Sequence, residues 1–199
     1  MITQNNTPRP NFAVEPPGNR WLRFLYPKMY VPSVTSIDPQ QLYSRGIRCV
    51  LFDLDNTVVP RDKTCLSTEV AGWIKSLGER GIKVCVVSNN GPARLSRVAG
   101  IEEIPSVCRA IKPRKHPFRK AMKMLGVTPG ETAVVGDQIF TDILGGNRLG
   151  LYTILVMPMP GKEYWATEMF NRRLERLVLS RIIQSGTGGG EPRSVGDKR

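Results

Sequence analysis

The sequence predicts an α/β fold in which a parallel sheet is flanked by helices, and three observations predict it. Apolar runs of strand length alternate with segments of helical period between residues 47 and 157, the pattern of repeated strand–helix–strand units. Glycine or proline punctuates most of the joins. A polar cluster follows directly on successive strand-like runs: Asp53 and Asp55, then Ser88 and Asn89, then Lys112, then Asp137. Ligands bind beyond the carboxyl ends of the strands in parallel sheets, so this last observation also predicts a site.

The elements follow in order. Ile47 to Phe52 is the first core strand, an apolar run that ends abruptly in acids. Ser67 to Arg80 is a helix: Ser67 can cap it, Glu69 lies in its first turn, Val70, Ile74 and Leu77 share a face, and Gly81 stops it. Ile82 to Val87 is the second strand, Ala93 to Ala99 a short helix, and Ser106 to Ile111 a third strand. Pro117 to Leu125 is a helix with proline at its start and Gly126 at its end. Thr132 to Val135 is a strand, Ile139 to Leu149 a helix closed by Gly150, and Leu151 to Met157 the last strand.

The flanks differ in kind. Residues 1–19 are polar and proline-rich and are expected to be disordered, as is the Gly-rich, charged tail 185–199. Residues 20–184 form the expected folded domain, with an N-terminal arm from Trp21 to Val31 and a C-terminal amphipathic helix from Glu163 to Ile183. Both segments mix large apolar and basic side chains. Either could pack on the domain or lie at a membrane interface.

Bulk properties narrow the function. A chain of 199 residues can bury one proper core. Its 29 Lys+Arg against 17 Asp+Glu give a net charge of +12, which favours anionic partners. No run approaches the ~18 apolar residues of a membrane span, and no apolar signal core precedes the domain, so the protein is expected in the cytosol or on a membrane face. Cys49, Cys65, Cys85 and Cys108 are scattered without a CxxC pair, which argues for core thiols rather than bridges or zinc ligands. The single histidine, His116, lacks a partner for nucleophilic catalysis and is expected near a helix start.

The strand-end residues carry the chemistry. Asp53 and Asp55 are two like charges at i, i+2, which need a cation or a proton between them. With Ser88, Lys112 and Asp137 brought to the same rim, the set equips a site for a divalent cation and a phosphoryl group. Asp53-Leu54-Asp55-Asn56-Thr57, Ser88-Asn89-Asn90, Lys112-Pro113 and Gly136-Asp137-Gln138-Ile139-Phe140-Thr141-Asp142 together resemble, in order, the four motifs of the haloacid dehalogenase (HAD) superfamily. Only 32 residues separate Asp55 from Ser88 and 23 separate Ser88 from Lys112, so there is no room for a cap domain. In this the chain is similar to subfamily IIIA members with a minimal, C0-type cap on a Rossmann-like fold. The flanks Tyr30-Val31-Pro32-Ser33-Val34 and Asn171-Arg172-Arg173 resemble the family that includes the bacterial and organellar phosphatidylglycerophosphate phosphatases.

The resemblance implies a mechanism. Asp53 is the nucleophile, Asp55 the general acid and then base, and Lys112 the stabiliser of phosphoryl charge. Ser88 and the Asn89 backbone N–H bind phosphoryl oxygens. Mg²⁺ is held by Asp53, the Asp55 carbonyl and Asp137. Asp142 orients Lys112 or a metal-bound water. The implied substrate is a phosphomonoester on something bulky, in the first place phosphatidylglycerophosphate. The basic stretch Arg109, Lys112, Arg114, Lys115, Arg119, Lys120 and Lys123 suits an anionic phospholipid or membrane surface, or is a solvated helix face. The competing expectations are a soluble phosphatase acting on a sugar phosphate, nucleotide or polynucleotide end, and a non-catalytic adaptor for RNA or a GTPase. No nucleic-acid-binding motif or stacking platform accompanies the basic stretch, so nucleic acid is not an expected partner.

Overall fold

Residues 12–13 and 22–159 are described by the computed structural model. Twelve elements follow one another: β1 (Phe12–Ala13), β2 (Met29–Val31), α1 (Pro39–Ser44), β3 (Cys49–Phe52), α2 (Thr68–Glu79), β4 (Lys83–Val87), α3 (Pro92–Leu95), β5 (Ser106–Val107), α4 (Lys115–Leu125), β6 (Thr132–Gly136), α5 (Leu144–Asn147) and β7 (Tyr152–Val156). The strands make one sheet in the order β1-β2-β7-β6-β3-β4-β5. Only the β1–β2 pairing is antiparallel; the others are parallel.

Strand alternation divides the core into two layers. Val50 and Phe52 of β3, Val86 of β4, and Ala133 and Val135 of β6 face the side covered by α2, where Val70, Trp73 and Leu77 are buried. Cys49 and Leu51, Cys85 and Val87, and Val134 face the side covered by Phe118, Ala121 and Met122 of α4. With both faces covered, β3 and β6 are buried along their whole length, as parallel strands require. Burial pushes the thiols of Cys49 and Cys85 up to about 12, so both behave as small apolar side chains.

The chain runs outward from β3 to β4 and β5, then returns across β3 to place β6 on its other side. The β3–β6 gap is therefore a topological switch point, where flanking loops diverge and leave a crevice. Helix ends follow local chemistry. Ser67 Oγ accepts the Val70 N–H at 3.3 Å to cap α2. Gly126 closes α4 in the left-handed conformation at φ 64°.

Four expectations need correction. The strand over Ser106–Ile111 stops at Val107; Arg109 and Ile111 take positive φ of 50° and 54°, which no strand accommodates. The single helix over Ile139–Leu149 is a π-turn, Ile139–Ile143, followed by the short α5. The segment before Pro32 is more than an arm laid on the domain. Met29–Val31 joins the sheet beside β7, and Tyr26, Met29, Tyr30 and Val31 are buried. Phe12–Ala13, inside the stretch expected to lack structure, pairs with Tyr30 and Met29. The remainder of residues 1–19, Trp21, the helix expected over Glu163–Ile183 and the tail 185–199 lie outside the described residues. Among the described residues no helix is long and apolar enough to cross a membrane.

Candidate active site

Four strands deliver their C-terminal residues to one crevice. Asp53 directly follows β3, and its N–H donates to Val135 O of β6 at 3.0 Å, so the ladder holds the residue in line as the strand ends. The chain then curls. Val58 and Val59 N–H donate to Leu54 O, and Asn56 N–H donates to Val59 O at 2.7 Å, with Asn56 at φ 61°. Asparagine is among the few residues that enter this region at low cost. Buried Leu54, Val58 and Val59 anchor the curl, and its residue Asp55 faces the cavity.

The loop after β4 is tied to the loop after β5. Ser88 N–H donates to Val107 O, Ala110 N–H to Ser88 O, and Arg109 N–H to Asn90 O. The Asn89 side-chain oxygen accepts the Lys112 N–H at 2.7 Å. Ser88 is buried and lines the cavity, and its hydroxyl accepts the Asn90 N–H at 3.1 Å. Together these bonds fix the backbone on both sides of Lys112.

Lys112 Nζ donates to Asp53 Oδ1 at 2.6 Å and to Asp142 Oδ1 at 2.7 Å. Its side chain is 2% exposed and those of the two acids 11% and 1%. At such burial an ion pair is held by geometry and not by solvent. Burial alone would lower the ammonium; the charges of Asp142 and Asp53 outweigh it and hold Lys112 above its ordinary range. Asp142 is pushed up to about 6, by burial first and by Asp53, with Lys112 pulling the other way. Asp137 is raised by burial and by the charges of Asp53 and Asp142. Its Oδ1 accepts the Thr57 hydroxyl at 3.2 Å.

Carboxylate oxygens of Asp53, Asp137 and Asp142 lie within 4.8 Å of one another. Three carboxylates face one lysine, so the cluster carries two negative charges in excess if all are ionised. A hard divalent cation with oxygen ligands fits such a set, and Mg²⁺ takes one or two carboxylates and completes its shell with water and phosphate. The crevice is a polar cavity of about 130 Å³ lined by Asp53, Asp55, Ser88, Asn89, Lys112 and Thr141 among others. That is smaller than the ~300–1,000 Å³ of pockets that engulf a whole small ligand; it suits the phosphoryl end of a substrate. Residues 53–67 and 88–114 form only loops, the short α3 and β5, so among the described residues no cap covers it.

Gly136, the last residue of β6, is required here. A Cβ at this position would collide with the carboxyl of Asp142. Gly136→Ala is therefore expected to push Asp142 off Lys112. We expect a stability loss of ~1–3 kcal/mol, read by urea denaturation, with impaired phosphate release in the same protein.

Of the residues expected at the site, Asp53, Asp55, Ser88, Asn89 and Lys112 line the crevice, and Asp137 and Asp142 join Asp53 in the carboxylate cluster. Asp55 stands apart from the acid cluster and contacts Asn90 and Arg94. Asn89 reaches Lys112 through its side chain, a contact its motif position did not suggest. Arg94, Thr57 and Thr141 were not singled out in the sequence. Thr57 and Thr141 lie inside the motifs quoted above, so their position was the available signal; Arg94 had none.

Comparison with known proteins accords with this geometry. A HAD-hydrolase-like family model matches residues 110–158. The chain is 35% identical over 164 residues to the probable phosphatase YqeG of Bacillus subtilis (strain 168), covering 82% of this chain and 95% of that one. It is 26% identical to the chloroplastic/mitochondrial phosphatidylglycerophosphate phosphatase 1 of Arabidopsis thaliana, covering 82% of this chain and 50% of the plant protein. The Chlamydomonas reinhardtii phosphatidylglycerophosphate phosphatase 1 is also 26% identical, with 85% of this chain and 65% of the algal one covered. This chain thus spans half to two thirds of the length of those two relatives. The cobalt-bound deoxy-D-mannose-octulosonate 8-phosphate phosphatase of Haemophilus influenzae superposes with a TM-score of 0.47 at 16% identity, over 73% of this chain and 92% of that one.

Proposed function

The chain belongs to the haloacid dehalogenase (HAD) family of phosphatases, and from that premise we propose that it hydrolyses the terminal monoester of phosphatidylglycerophosphate by way of an aspartyl-phosphate. The observation that carries the chemistry is Lys112 Nζ, 2.6 Å from Asp53 and 2.7 Å from Asp142, on the wall of a polar cavity.

In the proposed first step an Asp53 oxygen attacks phosphorus. The bond from phosphorus to the ester oxygen breaks, and that oxygen leaves with the electron pair and takes a proton from Asp55. In the second step water attacks the phosphoryl group. It gives a proton to Asp55, frees Asp53 and releases inorganic phosphate, so Asp55 ends as it began. Lys112 faces the developing equatorial charge, and Asp142 holds Lys112 in place. Ser88 Oγ and the Asn89 N–H receive the phosphoryl oxygens. Asp53, Asp137 and the Asp55 carbonyl would hold Mg²⁺, which when bound lets an anionic carboxylate approach an anionic phosphate.

Three features support a lipid substrate. Two relatives carry the name phosphatidylglycerophosphate phosphatase. A cavity with no cap among the described residues suits a phosphate presented on a large surface better than an enclosed metabolite. Arg109, Arg114, Arg119, Lys120 and Lys123 are all exposed, with Lys115 half-buried among them, and each is worth ~1 kcal/mol on an anionic bilayer.

The test compares phosphate release from phosphatidylglycerophosphate in mixed micelles with release from sugar phosphates and nucleotides, with Mg²⁺ and with chelator. The expected result is Mg²⁺-dependent release with at least tenfold preference in kcat/KM for the lipid, together with flotation on anionic vesicles. Preference for a soluble ester with no flotation would replace the lipid reading by the soluble-phosphatase one. No release from any ester would remove the enzymatic reading.

A further inference from the structure

Asp55 is held by a clamp that is separate from the Lys112 cluster. Arg94 donates two N–H groups to the same oxygen, Nε to Oδ1 at 2.9 Å and Nη2 to Oδ1 at 2.7 Å. The Asn90 side-chain amide donates to the other oxygen, Oδ2. Both oxygens of Asp55 therefore have a donor, and the carboxylate has one orientation. The contact is largely closed to water, with the Arg94 side chain 18% exposed and that of Asp55 11%. Asp55 and Asn90 line the cavity; Arg94, at the end of the same segment, reaches Asp55 from behind it.

The segment has a second connection. Asn90 and Arg94 follow Ser88 and Asn89 in one short stretch of chain between β4 and the end of α3. The Asn89 side-chain oxygen fixes Lys112 by accepting the Lys112 backbone N–H. One loop thus seats the phosphoryl group on one side and aims Asp55 on the other. An exposed arginine–carboxylate pair has small energetic value, but this one has a directional consequence. A carboxylic acid gives its proton to a leaving oxygen only within hydrogen-bond reach, and a misplacement of about 1 Å can cost roughly 100-fold in rate.

We propose that Arg94 is a positioning residue for Asp55, required in the first step only when the leaving group needs a proton and required in the second step of every ester. This rests on the role of Asp55 given above. An alkoxide is a poor leaving group and must be protonated as it departs; p-nitrophenolate is stable as the anion and needs no proton. Losing Arg94 leaves Asp53, Lys112 and the phosphoryl seat intact, so attack on phosphorus continues. The loss appears only where Asp55 must donate, in the first step for alkyl esters, and where it must accept a proton from water, in the second step for all esters.

The experiment uses full-length Arg94→Gln and Arg94→Lys with Mg²⁺ and two substrates, phosphatidylglycerophosphate and p-nitrophenyl phosphate, followed by rapid mixing. For Arg94→Gln the expected result is a 10- to 100-fold fall in kcat on the alkyl ester with KM changed less than threefold. On the aryl ester the first turnover keeps its wild-type rate and is followed by slow release, seen as a burst of p-nitrophenolate equal to the enzyme concentration. Arg94→Lys, with one charge and no planar fork, recovers part of the alkyl rate; if the Gln variant fails to fold, the Lys variant alone must show the same split. Equal losses on both esters in first turnover, or no loss on the alkyl ester, would overturn the proposal. Asp55→Asn separates the two levels. If it retains alkyl hydrolysis, the acid–base role of Asp55 fails; if it is dead while Arg94→Gln is unaffected, only the role of Arg94 fails.

Discussion

Asp53→Asn is expected to lower Mg²⁺-dependent phosphate release by roughly 10⁴-fold or more while the protein remains folded. The two halves of this expectation have separate causes. Chemically, an amide oxygen is too weak a nucleophile to displace an alkoxide, and the covalent route closes. Structurally, asparagine has the shape of aspartate, and its carbonyl oxygen can still accept from Lys112 Nζ, which lies 2.6 Å from Asp53 Oδ1. The substitution also removes one of three crowded carboxylates, a relief because Asp53 is among the charges that raise Asp137 and Asp142. Thermal denaturation should thus show a variant no less stable than the parent in chelator. Phosphate release at more than a hundredth of the wild-type rate would mean that Asp53 is not the nucleophile.

Lys112→Met carries the second large effect, and here stability falls with activity. Methionine fills the space of the lysine stem but leaves Asp53, Asp137 and Asp142 without a cation from the protein. Asp142 is 1% exposed and Asp53 11%, so water cannot replace the ammonium at Asp142. Removing one partner from a buried pair costs ~3–5 kcal/mol. We expect a loss of this size in urea denaturation with chelator present. The deficit should shrink when Mg²⁺ is added, because an ion that binds only the folded state stabilises it by mass action. Activity should fall in parallel, since the charge facing the phosphoryl group is gone. A Met variant as stable as the wild type in chelator would show that the carboxylates do not depend on Lys112.

The parts of the fold that were legible in the sequence are those set by short-range pattern. The strands β3, β4, β6 and β7 are apolar runs bounded by polar or glycine residues, and each lies within one or two residues of its expected place. Helix α2 announces itself through its Ser67 cap and apolar spacing. The errors lie where long-range packing decides. Met29–Val31 is three residues between prolines and shows no alternation; it is a strand because β7, more than a hundred residues later, offers it an edge. The stretch Ile139–Leu149 has helical composition, but its backbone is pressed into the sheet. A Cβ at Gly145 would meet Phe118 and one at Gly146 would meet Val134 and Thr153, and the segment reaches that depth through a π-turn. The strand-end residues Asp53, Ser88, Lys112 and Asp137 could be listed from sequence because strand ends share a rim. Arg94 could not, for its partner Asp55 is 39 positions earlier in the chain and the two meet only through the curvature of two loops.

The bare rim above Asp53 also bears on tempo. Many enzymes of small metabolites wait on a hinged cover to open before product escapes. Between β3 and α2 there are only loops, and between β4 and α4 only loops, the short α3 and β5, so among the described residues nothing has to swing aside. On the proposed route, water would reach the phosphorylated Asp53 and inorganic phosphate would depart by the same doorway, so the pace of turnover would fall to bond-making itself or to the time spent on the surface proposed to present the substrate.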